Sequence, residues 1–214
     1  MKKISPYGLF EKLKSHYGSQ HWWPAETKYE IVVGAVLTQN TNWNNVERAI
    51  NNLKQEELLS PGKILDNSSD KLKKLIRPSG FYNAKASTLR RLTYFIHNNN
   101  VNEMPMKELR EQLLKIKGVG LETADSILLY AYNRPVFVID AYTKRLAKRL
   151  KISSKEKYNE LQEFFQNVLP EDTNLYAEFH ALIVEHCKKI CKKEPQCNIC
   201  FMKDDCPKSF SKED

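Results

Sequence analysis

A chain of 214 residues of which 41% are hydrophobic is long enough to bury a core, as one large domain or two small ones. Its 34 Lys and Arg residues outnumber 26 Asp and Glu residues, and the net charge of +8 favours a polyanionic partner or an anionic membrane surface. No apolar run reaches the roughly 20 residues that span a bilayer, and the first ten residues lack a signal-peptide core. We therefore expect a cytoplasmic protein without a membrane partner.

Apolar residues recur at helical spacing along most of the chain, and no segment alternates as a half-buried strand does, so we predict an all-α protein. Residues 28–41 are apolar around most of the helix surface, which indicates a central core helix. The other predicted helices cover residues 42–54, 69–76, 82–98, 106–116, 121–133, 141–150, about 156–168 and 173–189. The apolar segment 134–140 between two of these helices is strand-like.

Residues 106–133 combine a helix, a tight Gly118-Val119-Gly120 turn and a second helix. The backbone N–H groups in the first turn of that second helix are unpaired and form an anion site, and glycines let a phosphate approach the backbone closely. An ordinary helix connection has the same pattern, so the glycines alone favour a DNA contact only slightly. The residues predicted to contact DNA on this element are Lys117, Gly118, Val119, Gly120 and Thr123.

Four further segments accompany this turn: GAVLTQNT, RPSGFYNAKA, VFVIDAYTKRL and a C-terminal group of cysteines. In this order and spacing the chain resembles the helix-hairpin-helix DNA glycosylase superfamily, which includes endonuclease III and the 3-methyladenine glycosylases. The resemblance implies a two-lobed fold, with a six-helix barrel at 28–135 and a cluster-bearing lobe of 1–27 with 136–214. It also implies a monomer that excises damaged bases from double-stranded DNA, associated with the nucleoid when it acts.

The residue that matches the family's catalytic carboxylate is Asp140, directly after the strand-like VFVI. Breaking the bond between base and deoxyribose builds positive charge on the sugar, which a fixed anion stabilises while it helps direct a water. Asp140 is also well suited to cap the following helix, and the two roles are compatible. Lys144 on that helix is a further predicted DNA contact.

Bifunctional members of the family, which also cut the DNA strand, carry a lysine two residues beyond the Gly-x-Gly turn. Glu122 occupies that position here, and a glutamate cannot form the imine on which the lyase reaction depends. We therefore predict a monofunctional glycosylase. Lys117 and Lys144 lie nearby in sequence, so a residual lyase activity stays an alternative. Glu122 also fits a purely structural role, as a solvated acid in the first turn of a helix.

An enzyme that attacks this bond flips the nucleotide out and holds the base by stacking and hydrogen bonds. The residues predicted to form the base pocket are Trp22, Trp23, Pro24 and Trp43, although tryptophans also serve as core anchors. WWP and GAVLTQNT, with an aromatic residue two positions later, resemble the 3-methyladenine glycosylase III branch, whose aromatic pocket accepts alkylated purines. Gln39 matches a family position near the gap left by the flipped base, and Tyr82 and Lys85 are expected to line the same groove.

Cys191, Cys197, Cys200 and Cys206 form a Cys-x5-Cys-x2-Cys-x5-Cys pattern within one short loop. Four thiolates so placed hold either a [4Fe-4S] cluster or a tetrahedral zinc ion. The endonuclease III pattern has six residues between its first two cysteines, one more than here, and the family resemblance favours the iron-sulfur cluster. Cys187 on the preceding helix is expected to be a buried bystander.

Two alternatives to a monofunctional alkyl-purine glycosylase remain at this point. One is a bifunctional glycosylase and lyase, similar to endonuclease III, that acts on oxidised pyrimidines. The other is a non-catalytic DNA-binding iron-sulfur protein.

Overall fold

The computed structural model describes residues 4–20 and 22–207. Over these ranges the chain is helical without any β-strand, which confirms the all-α prediction. The chain forms two compact units, one of Met1–Trp22 with Pro135–Asp214 and one of Trp23–Arg134. In the described part of the chain no helix has the length and apolar character needed to cross a membrane.

Eleven α-helices are seen in the described residues, connected by turns and short irregular segments. In chain order they are α1 (Pro6–Tyr17), α2 (Lys28–Leu37), α3 (Trp43–Gln55), α4 (Pro61–Asp66), α5 (Ser69–Leu75), α6 (Tyr82–Asn98), α7 (Met106–Lys115), α8 (Leu121–Ser126), α9 (Ala141–Arg149), α10 (Tyr158–Val168) and α11 (Thr173–Lys189). Short 3₁₀ turns follow α5 and lie in the cysteine loop.

Helix α2 is the core helix of the unit Trp23–Arg134, as its sequence predicts. Its buried residues are Tyr29, Glu30, Val32, Val33, Gly34, Ala35, Val36 and Leu37. The helix ends at Leu37, earlier than the predicted residue 41, because the chain turns at Asn40, whose φ of 52° is in the left-handed region. The Thr38 hydroxyl donates to the Gly34 carbonyl at 2.6 Å and caps this end.

Helices α1 and α4 are absent from the sequence-based prediction. Each begins with a Ser-Pro pair, Ser5-Pro6 and Ser60-Pro61, in which serine is the N-cap and proline the first helical residue. The Ser5 hydroxyl oxygen accepts the Gly8 amide hydrogen, with the two heavy atoms 3.0 Å apart. The start signal was therefore present in the sequence, but α4 is too short to show a helical period.

The helix predicted at 121–133 is confirmed as far as Ala131, but its second half is π-helical. Helix α8 ends at Ser126, and Ile127–Ala131 continue as a π-helical turn in which the Tyr132 amide donates to the Ile127 carbonyl at 3.2 Å. This turn packs against α2. A π-helical turn changes the direction of the side chains that follow it, and here it leaves Tyr130 partly exposed beside Trp23.

Lys85 does not line a groove, contrary to the prediction. Its side chain is buried, and its ammonium donates to the carbonyls of Leu37 at 2.9 Å and Ser79 at 2.7 Å. Burial lowers the pKa of Lys85 to about 8. The lysine therefore joins the end of α2 to the turn before α6, which is a structural role. Tyr82 is half-buried at the start of α6.

In the unit Met1–Trp22 with Pro135–Asp214, the strand-like segment 135–139 forms neither helix nor strand, and the described residues provide no strand beside it. Side chains of α10 replace the missing neighbour: Gln162 donates to the Phe137 carbonyl at 2.7 Å, and Gln166 accepts from the Phe137 amide at 3.0 Å. The Phe137 ring stacks on Phe165 with centroids 4.7 Å apart. These contacts fix the chain that leads into Asp140.

The unit Trp23–Arg134 begins five residues before the predicted lobe boundary at residue 28, since Trp23 packs against α2. A Cβ atom at Gly34 would lie 3.2 Å from Cζ2 of Trp23, so a larger residue there would require the indole to shift by a few tenths of an ångström. The description of this unit as a six-helix barrel stays a prediction.

Candidate functional site

The hairpin turn between α7 and α8 is held by α6. Gly118 has a φ of 99°, and a Cβ atom there would lie 2.1 Å from Oγ1 of Thr88. Arg91 donates to the Lys117 carbonyl at 2.8 Å. Lys117, Gly118 and Gly120 are exposed, whereas Val119 is buried and its amide donates to the Ile116 carbonyl at 2.9 Å. The exposed positions of the turn are therefore the lysine and the two glycines.

Gln39 connects the end of α2 to the hairpin. Its amide nitrogen donates to the Gly118 carbonyl at 3.0 Å and to the Thr123 hydroxyl at 2.8 Å. The structure thus brings Gln39 together with two residues of the predicted DNA-contact set. These residues line one open polar groove with their neighbours: Thr38, Gln39, Asn40, Gly118, Val119, Gly120, Glu122 and Thr123. Glu122 is exposed at this groove.

Asp140 is the N-cap of α9, and its Oδ1 accepts the Thr143 amide hydrogen at 2.7 Å. Its Oδ2 lies 3.5 Å from Nε2 of His180. Burial of this carboxyl, which is 8% exposed, raises its pKa, but the hydrogen bonds and charge from His180 and the hydrogen bond from Thr143 outweigh it, and the net pKa is lowered. Asp140 is therefore a buried carboxylate at neutral pH.

His180 is a site residue that the sequence reasoning missed. It lies on α11 and is 4% exposed. The ring of Trp22 stacks on it, with centroids 5.5 Å apart and planes at 26°. The signal available in the sequence was one imidazole in the otherwise apolar run around FHALIV.

Trp22 and Trp23 contact different residues although they are adjacent in sequence. The Trp23 ring meets Trp43 edge to face, with centroids 5.6 Å apart at 86°. The ring of Tyr130, a residue that the sequence did not single out, lies with its centroid 5.1 Å from that of Trp23. The indoles of Trp22 and Trp23 are partly exposed, and Pro24 is exposed. Of the predicted base-pocket residues, the structure thus brings Trp23 and Trp43 together, while Trp22 lies on His180.

The four loop cysteines surround one cavity beside α9 and α11. Its lining residues are Leu146, Arg149, Leu150, His186, Ile190, Cys191, Pro195, Cys197, Cys200, Met202, Lys203 and Cys206. In the described residues, no three His, Cys, Asp or Glu side chains converge on a point where one metal ion would bind. Cys187 is buried on α11, as expected.

Two arginines of α9 hold the chain around Cys191. Arg149 donates to the Cys191 sulfur at 3.2 Å and to the Lys193 carbonyl at 2.7 Å, and Arg145 donates to the Cys191 carbonyl at 2.9 Å. Hydrogen bonds from the Cys187 thiol, His186 and Arg149 lower the pKa of Cys191 to about 4, against the effect of burial. These contacts favour the thiolate form of Cys191, which is the form that binds metals.

Residues 33–171 match the family model described as HhH-GPD superfamily base excision DNA repair protein. This chain belongs to that family. The candidate DNA repair glycosylase MJ1434 of Methanocaldococcus jannaschii is 57% identical over 208 residues, 94% of each chain. Endonuclease III of Thermotoga maritima is 29% identical over 179 residues, 83% of this chain and 82% of the relative.

Two solved structures share the fold. The 3-methyladenine DNA glycosylase MagIII of Helicobacter pylori, bound to 1,N6-ethenoadenine, has a TM-score of 0.76 and 34% identity, over 87% of this chain and 98% of that one. A non-covalent complex of endonuclease III with DNA has a TM-score of 0.84 and 20% identity, over 98% of this chain and 97% of that one. The HhH-GPD chain described here is a DNA glycosylase of base excision repair, and DNA is its partner.

The two hairpin glycines give a matched pair of variants. We expect Gly118→Ala to lower the free energy of unfolding by about 1–3 kcal/mol, because alanine is strained at positive φ and its methyl group collides with Thr88. At Gly120 a Cβ atom would meet open space, so we expect Gly120→Ala to leave the free energy of unfolding unchanged but to weaken DNA binding. Urea unfolding and DNA affinity measure the two effects. Equal stability losses in both variants would contradict this account of the turn.

Proposed function

We propose that this HhH-GPD protein is a monofunctional glycosylase that hydrolyses the N-glycosidic bond of alkylated purines in double-stranded DNA, acting as a monomer. The observation that carries the proposal is the buried carboxylate of Asp140, held ionised at the start of α9. In a site of low dielectric constant, a fixed negative charge stabilises a developing cation strongly.

The catalytic residue of this proposal is Asp140. As the base departs, the deoxyribose becomes oxocarbenium-like, and the carboxylate stabilises that positive charge. The bond from the Thr143 amide to Oδ1 holds the carboxylate in one orientation. His180 acts as a positioning residue beside Oδ2 and favours the ionised form of Asp140. A water that the Asp140 carboxylate helps direct then attacks the cationic sugar and completes the hydrolysis.

Glu122 supports hydrolysis by water over the lyase reaction. An amine nucleophile is needed to form an imine with the sugar, and the side chain at this position of the hairpin groove is a carboxylate. The residues of this groove that we propose as contacts to the DNA backbone are Gln39, Gly118, Gly120 and Thr123, while Val119 is buried in the turn. Lys117, exposed in the same turn, and Lys144, exposed on α9, are further proposed contacts.

The aromatic pair Trp23 and Trp43 supports an alkylated purine as the substrate. An alkylated purine is electron-deficient, often cationic, and stacks favourably on an indole ring. Tyr130 extends this aromatic surface, Pro24 borders it, and Trp22 supports His180. The 34% identity to MagIII, which was solved with an etheno-adenine, agrees with this class of base.

The residues of the cysteine loop fit a [4Fe-4S] cluster. Four cysteines line one cavity, and the contacts of Cys191 favour its thiolate form. Four thiolates so placed hold either a [4Fe-4S] cluster or a tetrahedral zinc ion, and the resemblance to endonuclease III favours the cluster. Cys191, Cys197, Cys200 and Cys206 would hold the cluster, which would fold the loop and supply redox chemistry. Arg149 would donate to one ligand sulfur.

The second candidate function is a bifunctional glycosylase and lyase for oxidised pyrimidines. The observation that favours it is the relationship to endonuclease III, at 29% identity over most of both chains. In this case Lys117 or Lys144 would supply the amine that position 122 lacks. Both lysines are exposed.

Methylated duplex DNA tests the reaction and the substrate class together. We expect release of 3-methyladenine and strand breaks only after alkali, because hydrolysis leaves an intact abasic sugar. Released bases are measured by chromatography and breaks by denaturing gels, with borohydride added to trap any imine. Direct nicking of an oxidised-pyrimidine duplex together with a trapped covalent complex would move the assignment to the second candidate.

The variant Asp140→Asn tests the catalytic residue. We expect base release to fall by roughly 100- to 1000-fold, as for loss of a central charge-stabilising group. Asparagine is also a good N-cap, so folding stability and DNA affinity should change little. Single-turnover kinetics, urea unfolding and binding to an abasic-site analogue measure the three quantities. Wild-type activity in this variant would remove Asp140 from the catalytic role.

The cysteine loop is tested by Cys197→Ala, with Cys187→Ala as the matched control outside the proposed ligand set. We expect Cys197→Ala to lose bound iron, acid-labile sulfide and the visible absorbance of the cluster, while Cys187→Ala keeps them. Metal analysis distinguishes iron from zinc in the wild-type protein. One zinc ion per chain without sulfide would contradict the cluster.

A further inference from the structure

The basic residues of α9 point in two directions. Arg145 and Arg149 face the cysteine loop, where they donate to its main-chain carbonyls. Lys144 and Lys148, one helical turn apart, are exposed. The two lysines are therefore not needed to hold the loop, and their charges are available to a partner.

These lysines line a groove between α9 and the segment that connects it to α10. Its lining residues are Lys144, Arg145, Lys148, Ser153, Ser154, Lys155, Glu156 and Leu161. The Ser153 hydroxyl oxygen accepts the Lys155 amide hydrogen at 3.1 Å, so its own hydrogen remains for an acceptor in the groove. Ser154, which also carries a hydroxyl group, is exposed. The groove thus presents cations together with neutral hydrogen-bond donors.

The charge of the groove is strongly positive. Three lysines, Lys144, Lys148 and Lys155, line it, and among the described lining residues Glu156 is the one acidic side chain. Arg145 also borders the groove, but its guanidinium group is engaged by the cysteine loop. Glu156 pairs with Lys148 at 2.9 Å, but both side chains are more than 70% exposed, so this ion pair is weak and an incoming anion can replace the carboxylate. Lys144 lies 5.9 Å from the centre of the Tyr158 ring and has no ion pair among the described residues.

We propose that this groove binds the DNA sugar-phosphate backbone, as a contact separate from the hairpin. Ammonium, guanidinium and hydroxyl groups are the usual partners of phosphate oxygens. Among the described residues that line the groove, Leu161 is the one apolar side chain and none is aromatic, so the lining suits the DNA backbone better than it suits stacked bases. The contact is therefore independent of base sequence and of the lesion. The proposal rests on the DNA-glycosylase assignment and extends the DNA footprint beyond the hairpin and Lys144.

The proposal predicts affinity changes of opposite sign around one groove. Lys144→Ala and Lys155→Ala each remove a phosphate contact, so we expect roughly 3- to 10-fold weaker binding and a salt slope lower by about 1. Glu156→Gln removes the competing carboxylate, so we expect binding roughly 2- to 5-fold tighter. Fluorescence anisotropy with a lesion-free duplex, repeated over a range of salt concentrations, measures both quantities.

Matched controls carry the same charge changes outside the groove. Lys63→Ala on α4 and Glu11→Gln on α1 replace exposed residues that do not line it. We expect them to alter affinity less than twofold. If the groove variants behave like these controls, or if Glu156→Gln does not bind more tightly, the proposed contact is wrong. Because the duplex has no lesion, the result does not depend on which base is excised, and a failure to release 3-methyladenine leaves it unchanged.

Discussion

The bond from the Thr143 amide to the Asp140 carboxylate is the contact on which much of the terminal unit depends. It starts α9, and it fixes the orientation of the side chain assigned to catalysis. The segment 135–139 before it is held by glutamines of α10 and by the buried ring of Phe137. One carboxylate caps the helix, and in our proposal the same carboxylate stabilises the charge of the transition state, since both roles require a fixed anion at the same place.

Much of this architecture could be predicted from sequence because its signals are local. The apolar surface of α2, the glycines of the hairpin and the aspartate after VFVI each depend on a few neighbouring residues. Helix α6 was predicted with the bounds Tyr82 and Asn98 that the structure gives it. The two helices that were not predicted, α1 and α4, both begin with Ser-Pro. This pair marks a helix start in the sequence even for α4, which is too short to show a helical repeat of apolar residues.

The errors concern polar groups whose surroundings come from distant parts of the chain. Lys85 was expected in a groove, but it is buried because two carbonyls more than five residues away accept its hydrogens. His180 was not selected, since its significance arises only when α11 meets Asp140 and Trp22. The π-helical turn after α8 likewise has no local sequence signature. Charge, burial and partner must be known together before such residues can be interpreted.

The contacts of Arg149 determine how the cysteine loop can evolve. Its guanidinium group binds the carbonyl oxygens of Lys192 and Lys193, which every amino acid possesses. Side chains at these two positions can therefore be exchanged freely without loosening the loop from α9. The length of the cysteine loop is more constrained, because an inserted residue would shift those two carbonyls away from Arg149. A loop with another cysteine spacing would have to diverge together with this end of α9.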